Sequence, residues 1–220
     1  MPVPEILDLS HAIVDGTITY PGLPGPVITD HLSREASRER YAPGYEFQIG
    51  RIDMVANTGT YLDTPFHRYG DGHDLAGLDL ARVVSVPGVL VEATAGPEAG
   101  PELLEGLELS GRAVLFRTGW DVHWETERYG APEHPNLALA TAERLVAGGA
   151  AVVGIDSVNI DATRTGERPI HSTLLAAGIP IVEHLCRLGE IEGRPFSFSA
   201  VPPAVKGMGT FPVRAVAVIA

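Results

Sequence analysis

Residues 57–72 read NTGTYLDTPFHRYGDG, and this stretch decides how the rest of the chain is read. It places a carboxylate, Asp63, and an imidazole, His67, among polar residues and turn formers. Gly59 permits a sharp backbone path, and Pro65 stiffens the segment between Asp63 and His67. A carboxylate and an imidazole held at fixed spacing on a loop are what a preorganised chemical site requires. Two donors do not hold a metal, so the remaining ligands have to come from elsewhere in the chain.

A second stretch supplies them. Residues 171–183 read HSTLLAAGIPIVE, with His171 at the entrance of a short helix and Glu183 at the end of the next strand. A glutamate ending a buried strand is costly unless it is paired or bound to a cation. Asp63, His67, His171 and Glu183 together form a mixed imidazole/carboxylate set. Such a set suits zinc, manganese or iron(II) better than magnesium or calcium. Each residue also has a structural reading: Asp63 as a turn cap, His171 as a helix-terminal histidine, Glu183 as half of a buried ion pair. Spacing alone leaves both readings open.

Composition narrows the classes of partner. The chain has 220 residues, a length that suits one domain with a sizeable core, here residues 1–220. The formal net charge of −12 argues against nucleic acid and against an anionic membrane surface, both of which need clustered Lys and Arg. It does not exclude an anionic small substrate, because a local pocket can oppose the global field. The single cysteine, Cys186, rules out an internal disulfide framework and any Cys-rich zinc site, and reads as a small buried hydrophobe. The amino-terminal stretch MPVPEILDLSHAI has no basic region followed by an apolar run, and no segment of ~18 apolar residues follows. The expected location is the cytoplasm.

The hydrophobic pattern predicts a mixed α/β domain of roughly eight or nine strands and three helices. The first 70 residues are mainly β-like and rich in Gly and Pro. Residues 83–94 read as one or two strands broken at Pro87-Gly88, and residues 112–120 and 150–156 as buried strands. The best helix is NLALATAERLVAGG, residues 136–149, with Asn136 as its possible cap and Gly148 as its end. Residues 171–178 form a short helix stopped by Gly178, and 179–185, 194–201 and 211–220 follow as strands. In that pattern His184 follows Glu183 on the opposite face of its strand and reads as structural, while Asp156 and Asp161, after a buried strand, are candidates for a supporting role.

The chain resembles the cyclase family of metal-dependent hydrolases, which includes bacterial kynurenine formamidase and isatin hydrolase. Residues 57–67, NTGTYLDTPFH, resemble the family's H-x-G-T-H-x-D-x-P-x-H with its internal spacing intact. DLSHAI at 8–13, TYPG at 19–22, RTGW at 117–120, VGIDSVNID at 153–161 and IHSTLLAAGIPIVEHL at 170–185 resemble further landmarks, so the likeness covers most of the chain. It implies a swivelling β/β/α fold in a single domain, a mixed sheet with few helices, and homo-oligomers such as dimers or tetramers. It also implies metal ligation by the positions of Asp63, His171 and Glu183, and a proton-shuttle role at the position of His67. Tyr20 falls where family members carry an aromatic near the substrate.

The departure lies at Asn57 and Tyr61, which stand where the family motif has two metal-binding histidines. Asn offers one neutral carbonyl oxygen, and a phenol ionises only near pH ~10, so neither replaces a neutral imidazole. The replacements set this chain apart from kynurenine formamidase itself. The expected site is therefore one divalent metal, zinc or manganese, on Asp63, His171 and Glu183, with His67 moving protons and Tyr20, Asn57 and Tyr61 lining the substrate pocket. The expected function is hydrolysis of an amide, cyclic amide or lactone bond in a small organic molecule. Two alternatives stand beside it: a metal-free cyclase, dehydratase or isomerase using His67 and Tyr61, and a degenerate family member that binds a ligand without turning it over.

Overall fold

Two adjacent segments, AVLFR and VVGI, are apolar at nearly every position, and they form the buried centre of a nine-stranded sheet. The computed structural model describes residues 4–219. The first three residues of the amino-terminal stretch, and Ala220 at the end of the last predicted strand, lie outside the described residues.

The strands are β1 (Glu5–Asp8), β2 (Val27–Leu32), β3 (Ile49–Asp53), β4 (Tyr61–Asp63), β5 (Val86–Glu92), β6 (Glu98–Ala99), β7 (Ala113–Arg117), β8 (Asn136–Leu137), β9 (Val152–Ile155), β10 (Ile181–Glu183), β11 (Phe196–Ser199), β12 (Thr210–Pro212) and β13 (Val216–Ile219). The helices are α1 (Arg34–Ser37), α2 (Leu139–Ala147) and α3 (Pro169–Ala176). The main sheet runs β1-β13-β11-β5-β7-β9-β10-β4-β12, while β2-β3 and β6-β8 form separate two-stranded sheets. Pairing is parallel from β5 through β7 and β9 to β10, and antiparallel on both flanks. Parallel strands covered on both faces need continuous apolar sequence, which β7 and β9 provide.

Alternation along β7 divides two cores. Val114 and Phe116 face α2 and α3, packing with Leu145, Leu174 and Ile181. Ala113 and Leu115 face the other way, into a cluster that joins Leu7, Phe196 and Phe198 from one flank to Leu62 and Val213 from the other. The sheet therefore curls, because strands from its two ends share one apolar interior.

The expected α/β class, mixed sheet and small number of helices hold. The described residues form thirteen strands where eight or nine were expected, four of them members of two separate two-stranded sheets, and three local readings also change. Residues 83–94 contain one strand, Val86–Glu92, uninterrupted by Pro87-Gly88. Pro87 is opposite Ser197 on the neighbouring antiparallel strand, and Gly88 leaves the space that the Phe196 ring occupies. Helix α2 starts at Leu139 rather than after Asn136. Asn136 belongs to β8, and its side-chain amide donates to the Pro97 carbonyl at 3.2 Å instead of capping a helix. Residues 211–220 contain parts of two strands, β12 and β13, that pair with opposite flanks of the sheet. No helix among the described residues is long and apolar enough to cross a membrane.

Candidate active site

Strand β4 is only three residues long, and both of its neighbours contribute to the site. Tyr61 and Asp63 fall on one face of it by the two-residue period. In the antiparallel register, Tyr61 is opposite Glu183 on β10 and Asp63 is opposite Thr210 on β12. The cross-strand pairs become hydrogen bonds: the Tyr61 hydroxyl donates to Glu183 Oε2 at 2.6 Å, and the Thr210 hydroxyl donates to Asp63 Oδ1. Gly59 enters the strand at φ +63°, the left-handed path its sequence position suggested, and its N–H donates to Thr19 Oγ1 at 2.7 Å.

Helix α3 delivers His171. Pro169 opens the helix, and Asp161 caps it: Oδ1 accepts from the Ile170 N–H at 2.7 Å and Oδ2 from the His171 N–H at 3.0 Å. Asp161 Oδ2 also holds His171 Nδ1 at 2.6 Å. The opposite ring nitrogen, Nε2, is thereby aimed at Asp63 Oδ2, 3.6 Å away, and at Glu183 Oε1, 3.5 Å away.

Asp63 is fully buried, and its Oδ2 has no hydrogen-bond partner among the described residues. A buried carboxylate oxygen without a hydrogen bond is expensive; the His171 imidazolium 3.6 Å away offsets part of that cost, and a cation between Oδ2, His171 Nε2 and Glu183 Oε1 would offset it in the imidazolium's place. Ligands about 2.1 Å from a tetrahedral metal lie roughly 3.4 Å apart, close to the two separations measured from Nε2. The three donors that all lie within 4.8 Å of one another are those of Asp63, His67 and His171, a set that leaves out Glu183, which reaches the site through His171 Nε2. The donor set fits a divalent metal.

The protein by itself balances these charges with protons. Burial opposes charge on His171, but the carboxylates of Glu183, Asp161 and Asp63 overcome it and raise the imidazole to about 10. Burial pushes Glu183 up to about 7, helped by Asp63 and opposed by His171, Tyr61 and the Ile160 N–H. Asp63 is lowered: burial works against its charge, but contacts with His171, His67 and Thr210 prevail.

His67 sits at the end of a short 3-10 turn, Pro65–His67, that Pro65 begins. The Thr210 hydroxyl has one hydrogen, which it gives to Asp63, so it can only accept from His67 Nδ1 at 2.7 Å. Nδ1 therefore carries a proton, and Nε2 is the nitrogen left to exchange one. The backbone packs closely here, for a Cβ on Gly209 would lie 2.2 Å from the His67 backbone nitrogen.

Tyr20, Asn57, Tyr61, His67, His171 and Glu183 line one pocket of about 260 Å³, and Asp63 lies buried beside it. The structure thus brings all seven expected residues together. Sequence reasoning missed Thr210, whose signal was only its register opposite Asp63. It also missed Arg68, Asn159 and Arg168, which line the same pocket. His184 departs from the strand-period reading. The strand ends at Glu183, and His184 takes φ 58°, which turns its ring back beneath Tyr61. Burial lowers its imidazole to about 3, so it stays neutral. Its Nε2–H donates to the Tyr61 hydroxyl at 3.2 Å, since that hydroxyl's own proton is on Glu183, and its Nδ1 accepts from Tyr129 at 2.8 Å. Tyr61 is held from both sides, and burial raises its phenol well above the ordinary range.

Known proteins share this architecture and sequence. A family model described as "Putative cyclase" matches residues 7–162. Kynurenine formamidase from Bacillus cereus is 28% identical over 218 residues, covering 98% of each chain. An isatin hydrolase bound to the product analogue thioisatinate superposes with a TM-score of 0.83 at 20% identity, over 98% of this chain and 92% of that one. A structure described as a "potential metal-dependent hydrolase with cyclase activity" superposes with a TM-score of 0.79 at 25% identity, over 98% of both chains. With the family model spanning most of the sequence and the relatives aligned almost end to end, the chain belongs to the cyclase family.

Proposed function

We propose that this chain is a metal-dependent hydrolase that opens an amide, cyclic amide or lactone bond of a small organic substrate, and that residues 1–220 work as one domain. The observation that carries the proposal is the unpartnered Oδ2 of fully buried Asp63, facing His171 Nε2 at 3.6 Å. The names of its relatives, a kynurenine formamidase and an isatin hydrolase, support the same class of bond.

In this reading Asp63, His171 and Glu183 hold one zinc or manganese ion. When bound, such an ion polarises a carbonyl and lowers the pKa of water to about 7. The protein's own residues do the rest. Asp161 fixes the His171 tautomer, Thr210 orients Asp63 and His67 together, and Tyr61 holds the outer oxygen of Glu183. His67, at the pocket wall with its Nε2 free, takes up and returns the proton that amide cleavage requires. Tyr20, Asn57 and Tyr61 shape the rest of the wall.

Metal analysis by plasma mass spectrometry on tag-free protein tests the reading together with turnover of simple aryl amides. About one transition metal per chain, with activity lost in both Asp63→Ala and Glu183→Ala, is the expected result. Full turnover in both variants would refute it.

The same proposal includes assembly of identical chains. Strands β2 and β3 form a two-stranded sheet outside the main one, with Val27, Ile28, Ile49 and Ile52 each 45–55% exposed. A lone two-stranded hairpin is marginal in water, and a second copy covering its apolar residues would stabilise it. Sedimentation of the wild type as a dimer or larger, and of Ile28→Asp/Ile52→Asp as a monomer, is the expected outcome.

A further inference from the structure

Arginine is scarce relative to acid in this chain: 16 Lys and Arg face 28 Asp and Glu, so a basic side chain has many carboxylates to choose from. Arg38, Arg117, Arg187, Arg194 and Arg214 all make ion pairs. The other ten arginines make none among the described residues, and of these ten Arg68 and Arg168 are the two that line the active-site pocket.

Both are held in place by uncharged groups. Arg68 Nε donates to Ser172 Oγ at 3.3 Å, and the guanidinium lies 5.2 Å from the centre of the Tyr69 ring. Arg168 Nη1 donates to the backbone carbonyls of Thr165 at 2.8 Å and Glu167 at 2.7 Å. Ser172 joins the two, because its hydroxyl donates to the Arg168 carbonyl at 2.7 Å while accepting from Arg68. The Nη groups of Arg68 and the Nε and Nη2 of Arg168 have no partner among the described hydrogen bonds. Two guanidinium groups with donors to spare match the oxygens of a carboxylate, and the carbonyl contacts of Arg168 Nη1 lower the entropic cost on its side.

Resting on the hydrolase reading above, we propose that Arg68 and Arg168 are specificity-determining residues for a substrate that carries a carboxylate. They hold that carboxylate at one side of the pocket while the scissile carbonyl faces Asp63, His171 and Glu183. The chain as a whole carries −12, and the two guanidinium groups give one side of the pocket a local positive charge that attracts an anion against that background. The pocket volume of about 260 Å³ suits a small organic acid.

The test compares kcat/KM for 4-formamidobenzoate and formanilide, which share the scissile bond and differ by one carboxylate. The wild type is expected to prefer the acid. Arg68→Ala and Arg168→Ala are each expected to lower the acid-to-neutral ratio at least tenfold, mainly through KM, with part of it restored in Arg168→Lys. An unchanged ratio in both alanine variants overturns the proposal. Benzoate binding by calorimetry needs no turnover and separates this idea from the hydrolase reading. If both amides are inert, yet benzoate binds the wild type at least tenfold more tightly than R68A/R168A, the subsite stands and hydrolysis of these amides does not. Equal benzoate affinity in the two proteins, or no binding to either, removes the subsite.

Discussion

His171 Nδ1 lies 2.6 Å from Asp161 Oδ2, and the same carboxylate caps the helix on which His171 sits. One side chain therefore sets the backbone start of α3, the tautomer of the imidazole and the direction of its free nitrogen. Asp161→Asn keeps the size and one acceptor oxygen but weakens control of the tautomer. Metal affinity is expected to fall roughly 10–100-fold, the usual effect of losing a residue that orients a ligand. Asp161→Ala adds loss of the helix cap, about 0.5–2 kcal/mol of stability. Metal titration of both variants, with thermal melts, checks the two effects separately.

Metal uptake should be strongly pH-dependent. Without metal, the surrounding carboxylates hold His171 up at about 10, above the ordinary histidine range. The imidazole is protonated at neutral pH, and a metal ligand must be deprotonated, so each ion bound displaces a proton. Glu183, raised by burial to about 7, gives up a second proton when binding occurs below that pH. Affinity should therefore rise with pH, about tenfold per unit from 7 to 9 and more steeply below 7. Calorimetry in buffers of different ionisation heats counts the protons released. Affinity flat between pH 6 and 9 would count against His171 as a ligand.

His67 can act on the proton or bind the ion, and one variant distinguishes these. In His67→Ala the proton-transfer role predicts a kcat lower by about 10²–10⁴ with metal content near one per chain. Loss of the metal along with the activity would instead make His67 a ligand, as its reach to Asp63 and His171 allows.

Tyr61 and Asn57 mark where the family motif has imidazoles, so restoring them should change metal stoichiometry. Asn57→His/Tyr61→His adds two imidazoles that, with a shared Asp63, make a second set of three ligands, and is expected to raise metal content from about one to about two per chain, measured by plasma mass spectrometry. Tyr61→Phe tests the present arrangement. It removes the donor to Glu183 Oε2 and the acceptor for His184 Nε2, at a cost of about 1–3 kcal/mol in the melting free energy.

Gly209 is needed for space. Gly209→Ala places a methyl group against the His67 backbone, and overpacking of this kind costs about 1–3 kcal/mol. In a chain of this length each kcal/mol lowers Tm by roughly 2–4 °C. Activity should fall further than stability alone explains, because the next residue, Thr210, positions both Asp63 and His67.

Much of this was legible in the order of residues. The apolar runs at 113–116 and 152–155 mark the buried central strands, and the spacing of Asp63, Pro65 and His67 marks a stiff segment carrying a carboxylate and an imidazole, although Asp63 ends strand β4 and His67 ends a 3-10 turn where a loop was expected. Asn57 and Tyr61 were legible as departures because a residue type is a property of sequence alone. What the sequence left undecided depends on register and on backbone conformation. Thr210 reaches Asp63 because β12 and β4 pair with those two residues opposite each other, and nothing near position 210 announces that pairing. His184 turns beneath Tyr61 because one positive φ ends the alternation that strand periodicity assumes. The Arg68 side chain and the Arg168 backbone, a hundred residues apart, are linked through Ser172 only after α3 has docked. Periodicity and residue chemistry act locally along the chain, so the sequence by itself determined the kinds of element and the donors available. Distances between side chains from different strands and helices are set by long-range pairing and packing, so only the tertiary structure decided which donors share a pocket.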